Sequence, residues 1–161
     1  MKTQIFQQFF DYHFAENRKL WDTHITTLSD EQFTQAINYS IGSVHNHIIH
    51  MISVDAAWFS SLRGLDLPDM LDPKDWAERD HIRTKWDQVE AMMREYLATV
   101  DDTTLFTKPM KDEDENLFVW QALLQVVNHG TDHRAQLLRI IHDMGIKTAS
   151  QDYIFYVYDN A

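Results

Sequence analysis

Apolar residues recur at steps of three and four in four separate stretches of this chain, and that spacing constrains the fold more than any other feature. A helix of 3.6 residues per turn gathers such residues into one stripe, which must be buried against another element. The first stretch runs from Lys2 to His24, with Phe6, Phe9, Phe10, His13, Phe14, Asn17, Leu20 and Trp21 in register. The second runs from Ser43 to Arg63 and carries Val44, Ile48, Met51, Ile52, Trp58, Phe59 and Leu62. The third reads Ile82, Trp86, Val89, Met93, Tyr96 and Val100, an a/d seam of the kind that packs helix bundles. The fourth extends from Leu117 to Met144, and Gly145 is placed to end it. Four Gly and three Pro are too few for a fold built on many tight β turns. The expected fold is therefore all-α, a four-helix bundle, and 161 residues suffice for a single domain with a sizeable core.

The connecting pieces have signals of their own. Ser29-Asp30-Glu31-Gln32 has the form of a capping box and predicts a short helix through Ile37, followed by a turn over residues 38–42. Gly64 to Lys74 holds two of the three prolines and reads as a connection, with Asp75 as the next N-cap. The acidic run Lys111-Asp112-Glu113-Asp114-Glu115 reads as a solvated loop, since it lacks the alternating ligands and turn glycine of an EF-hand. The tail from Asp152 to Tyr158 is aromatic and β-branched. It suits a short extended piece, or a strip packed over the bundle or against a second subunit.

The chemistry lies in the histidines. His129 and His133 stand four residues apart, about 40° from each other on one helical face. Phe118, Ala122, Val126, Leu137, Ile140 and Met144 share that arc, so the pair points into the core. Buried imidazoles need partners, and one cation would satisfy both. An i,i+4 pair is the metal-binding spacing of H-E-x-x-H, but a third ligand has to come from elsewhere. His45, His47 and His50 open the second stretch. Helical geometry favours His50 or His47 without choosing between them. Two ligands from one helix and one from another would leave an open position, the layout of a catalytic rather than a structural site.

Other polar residues fall on apolar faces. His13 and Asn17 are either satisfied core groups or the lining of a cavity near the metal. Asp55 either bonds to a neighbouring helix or orients an imidazole from behind. Arg134 is about 100° round from His133, which suits a surface ion-pair partner first and an anion handle second. Gln136 shares the histidine face and would reach a ligand or a bound species.

Several classes are excluded or disfavoured. The absence of Cys removes disulfides, thiolate ligands and a cysteine nucleophile. A net charge of −11 repels phosphate backbones and weighs against nucleic acid as a partner. No apolar run approaches a membrane span, and the N-terminus lacks a secretory layout, so a cytoplasmic location is expected.

The residues also carry a resemblance. Tyr12 through Asn17, then Ser40-Ile41-Gly42-Ser43-Val44 with His50, Asp55 and Trp58, then Asn128-His129-Gly130-Thr131-Asp132-His133-Arg134-Ala135-Gln136, resemble the pattern of the DinB-like superfamily of proposed metalloenzymes. The last block is similar to its N-H-x-x-x-H-R-G-Q signature, with Ala135 where Gly is usual and Gln125 where relatives often carry another His. The resemblance implies an up-down-down-up four-helix bundle, commonly a homodimer, binding a divalent metal, often zinc or nickel. It places the ligands on His50, His129 and His133. It implies a small-molecule substrate: some relatives are transferases using low-molecular-weight thiols such as bacillithiol, mycothiol or glutathione, and one is a maleylpyruvate isomerase. A metal-dependent S-transferase or hydrolase is the first expectation. A non-catalytic metal-binding or stress-response bundle acting through a protein partner is the alternative. His13, His47 and Asp55 all stand as candidate general bases.

Overall fold

The computed structural model describes residues 2–160, and they contain helices and turns with no strand among them. Four helices are long: α1 (Lys2–Thr23), α3 (Val44–Leu62), α4 (Arg79–Thr99) and α5 (Val119–Asp143). Two are short, α2 (Asp30–Thr34) and α6 (Tyr153–Asp159). No helix is long and apolar enough to cross a membrane.

The long helices close a ring of pairwise contacts, and each contact follows from a predicted stripe. α3 packs on α5 and on α4, and α1 packs on α5. The ring closes where Trp21 of α1 meets Trp86 of α4 edge to face, with ring centroids 5.9 Å apart. Outside that contact Arg94 pairs with Asp11 at 3.3 Å, and its guanidinium lies over the Phe14 ring. Between α3 and α4, Phe59 meets Tyr96 at 5.6 Å. Phe10, Phe59, Ile48, Ile52, Ile82, Met93, Val126 and Leu137 are buried at the centre. The apolar periodicity of the sequence is thus the burial pattern of the fold.

Caps fix where the helices begin. Ser29 Oγ accepts from the Gln32 backbone N–H, while Gln32 Oε1 accepts from that of Ser29, so the expected capping box is present. The helix it starts ends at Thr34, three residues short of the predicted Ile37. Residues 37–42 instead form a tight loop, closed by Ile37 N–H donating to the Gly42 carbonyl. Ser40 and Gly42 in this loop have positive φ values of 49° and 100°. Ser43 then caps α3, its Oγ accepting from Asn46 N–H at 3.0 Å.

Asp75 does not cap α4. Pro73–Asp75 forms a single 3-10 turn, and α4 begins four residues later, after Glu78. His45 of α3 holds this approach in place, its Nε2 lying 2.7 Å from the Trp76 carbonyl. The tail is helical rather than extended. Tyr153 stacks on Phe9 and meets Tyr12 edge on, and Tyr156 also meets Tyr12, so burial of aromatic surface on α1 overrides the strand propensity.

Candidate metal centre

Three imidazoles meet in the seam between α3 and α5. His50, His129 and His133 each offer one ring nitrogen, and these atoms all lie within 4.8 Å of one another. Nε2 of His50 is 3.2 Å from Nε2 of His129. Two imidazole nitrogens on one tetrahedral zinc, each about 2.0–2.1 Å from the ion, would stand about 3.3 Å apart. The rings pack at centroid distances of 5.1, 4.7 and 4.4 Å. His50 and His129 are half-buried, and His133 is 9% exposed.

The donor set fits a cation. Among the described residues, the only hydrogen-bonding contact these rings make is the one between His50 and His129. Nδ1 of His129 and Nδ1 of His133 are buried without a partner. Burial lowers the pKa of all three, and their mutual proximity adds to it for His50 and His133. His133 is pushed down to about 4, by burial first and then by His129, His50 and His47. All three are thus neutral near pH 7 and present lone pairs, the protonation state a metal requires.

The same shifts set a pH dependence. An unfolded histidine titrates near 6.5, and His13, His50, His129 and His133 all titrate lower in the folded protein. Between those values the unfolded chain binds more protons, so stability is full above about 6.5 and falls as pH drops toward 4. Thermal unfolding of metal-free protein from pH 7.5 to 4 should show a falling Tm across that window. A flat Tm would mean the cluster is solvated.

His47 lies beside the three without joining them. It is fully buried, its Nδ1–H donates to the Ser43 carbonyl at 2.7 Å, and its Nε2 faces Gln136 Oε1 at 3.3 Å. Gln136 in turn donates to Asp132 Oδ2 at 3.0 Å and accepts from the Ser40 hydroxyl. Asp132, which no spacing or facing argument singles out, is exposed, and its charge opposes the downward shifts of His129 and His133.

Behind the histidines is a second buried polar cluster, between α1 and α5. Arg134 is 1% exposed, so it is not the surface ion-pair partner that a single helical wheel suggests. Its guanidinium donates to Asn17 Oδ1 at 2.8 Å, Gln151 Oε1 at 3.0 Å and Thr131 Oγ1 at 3.1 Å, and it lies over the Tyr12 ring. It also faces His13 Nδ1 at 3.3 Å. A guanidinium has no acceptor, so that nitrogen carries the lone pair and the His13 proton sits on Nε2, 3.6 Å from Asp55 Oδ2. Asn17 Nδ2 packs 3.1 Å from the same Nε2. His13, Asn17 and Asp55 are therefore neighbouring core groups: Arg134 links Asn17 and His13, and Asp55 faces the His13 ring of α1 across the core.

Gly130 makes this layer possible. A Cβ there would fall 2.4 Å from His13 Cε1 and 2.7 Å from its Nδ1. The ring is enclosed and cannot swing away. Gly130→Ala should therefore cost about 1–3 kcal/mol in urea unfolding through overpacking, despite alanine's better helix propensity. No loss would show that α1 can yield. Ala135, by contrast, is exposed, so its methyl does not disturb helix packing.

The chain has relatives among known proteins. The chain is 23% identical over 158 residues to "Protein DinB" of Bacillus subtilis (strain 168), covering 92% of this chain and 91% of that one. The model of the DinB family matches residues 1–160, and on that match the chain belongs to the DinB family.

Proposed function

We propose that this protein is a divalent-metal enzyme in which His50, His129 and His133 hold the ion, zinc or nickel, and that it acts on a small molecule as a thiol-dependent transferase or a hydrolase. The observation that carries this reading is the convergence of three neutral imidazoles, drawn from two helices, with His50 and His129 partly open to solvent. A divalent ion with three protein ligands lowers the pKa of a thiol or water that coordinates it, which supplies a nucleophile at neutral pH. The ring of long helices is read as the up-down-down-up bundle. The segment between Leu62 and Arg79 is long enough to return along the bundle, as two parallel consecutive helices require. A cytoplasmic homodimer is the assembly that goes with this reading.

The remaining residues divide into positioning and proton transfer. His13 and Asp55 face each other in the core and His47 is fully buried, which supports positioning roles for all three. Asp132 is the exposed carboxylate beside the pair, oriented by Gln136, and is the proposed proton acceptor. Metal-loaded protein should be screened with low-molecular-weight thiols and electrophiles, beside esters and amides. The expected result is turnover that His133→Ala abolishes and that Asp132→Asn lowers by about 100-fold in kcat with metal content unchanged. Metal binding without any turnover dependent on His133 would favour a binding module acting through a protein partner.

A further inference from the structure

A cavity of about 610 Å³ lies between the loop at residues 35–39 and the last turns of α5. None of the three histidines lines it, but its α5 wall lies on the helical stripe that carries His129 and His133. His129, His133, Gln136, Ile140 and Asp143 follow each other at steps of three and four. Ile140 is seven residues past His133, about 10 Å along the axis. Between them stands the contact of Ser40 Oγ with Gln136 Oε1. That contact joins the cavity's loop wall to the residue that also touches His47 and Asp132. Ser40 holds it in a left-handed backbone conformation, with φ of 49°.

The lining defines the chemistry of an occupant. Ala36, Ile37, Ile140 and Met144 give an apolar surface, and Gln35, Asn38 and Tyr39 add neutral polar groups to it. The cation there, Arg139, is already neutralised, since its Nε donates to both carboxylate oxygens of Asp143 at 2.9 and 2.8 Å. With the whole chain at −11, nothing in the cavity recruits an anion. The volume is in the range that encloses a small organic ligand.

We infer that this cavity binds the body of the substrate whose reacting end lies at the three histidines, and that this body is an uncharged, largely apolar chain or ring reaching past Ser40 and Gln136. The inference rests on the metal-site reading above and adds the substrate class. It takes Ala36, Ile140 and Met144 as specificity determinants and Gln136 with Ser40 as the strip that the substrate must cross.

The test uses zinc-loaded full-length protein and a series of alkyl hydroxamates, which chelate zinc through two oxygens. Binding is followed by calorimetry, with metal content measured in parallel. Acetohydroxamate and butanohydroxamate should bind alike, because their chains end before the cavity. From hexano- to octano- to decanohydroxamate the affinity should rise roughly threefold to fourfold per methylene as the chain is buried. Ala36→Trp, a filling change at an exposed position, should abolish that rise while leaving acetohydroxamate binding and zinc content unchanged. Met144→Ala should reduce the rise. A flat series with acetohydroxamate still bound overturns the cavity assignment alone, as does a rise that survives Ala36→Trp. Failure of acetohydroxamate to bind in a zinc-dependent way overturns the metal reading, and the assignment with it.

Discussion

Arg134→Leu is expected to lower the unfolding free energy by about 3–5 kcal/mol, a large fraction of the roughly 5–15 kcal/mol that holds an ordinary domain folded. The guanidinium is buried, and its nearest buried carboxylate, Asp55, is reached through the His13 ring. Removing the cation leaves that carboxylate in the core with no opposing charge. It also strands Asn17 Oδ1, Gln151 Oε1 and Thr131 Oγ1, each of which accepts from Arg134. Tyr12 donates to the Gln151 carbonyl, so the tail should loosen as well. Urea unfolding of metal-free protein measures the loss. The double variant with Asp55→Leu should recover part of it, because neither charge is then buried alone. A loss below 1 kcal/mol, or no recovery, would mean that the cluster is hydrated. Arg134→Lys should restore little, since an ammonium cannot serve three separated acceptors from one planar group.

The second large effect is on metal affinity. His133→Ala should weaken zinc or nickel binding by more than about 100-fold, the upper end of what losing a mere supporting group costs. His47→Gln should have a smaller effect, because His47 contacts the site through Gln136 and ring packing at 5.8 Å from His133. Competition with a chromogenic chelator distinguishes the two. Equal losses would make His47 a ligand. In the metal-free state His133→Ala should also flatten the dependence of Tm between pH 4 and 6.5, since the group titrating near 4 is gone.

The long helices and the histidine pair were legible in the sequence because both follow from one period. Apolar residues at three and four steps mark a buried stripe, and two histidines within that stripe must face inward. The choice of His50 over His47 was not legible in this way, since both lie near the edge of the α3 arc. It came from resemblance, and the structure brings His50 to the pair while His47 donates from Nδ1 to the Ser43 carbonyl. Arg134 shows where the wheel misleads. A wheel assumes one buried face, but α5 packs on α3 along one side and on α1 along another, so an arc 100° from the histidines is also buried. The available signal was Gly130, one turn before Arg134, since a glycine inside a long helix often marks a close approach. The α4 start was missed for a local reason: Pro73 opens a 3-10 turn that consumes Asp75 before the helix can begin.

The central claim is that three imidazoles, and no other group of this chain, hold one ion. X-ray absorption at the zinc edge, on stoichiometrically loaded protein prepared without an affinity tag, tests it most directly. Three imidazole nitrogens at about 2.0–2.1 Å are expected, with a non-protein light atom completing the shell and a nitrogen count that falls by one in His50→Ala. A shell of four protein ligands, or a spectrum unchanged by His50→Ala, would contradict it.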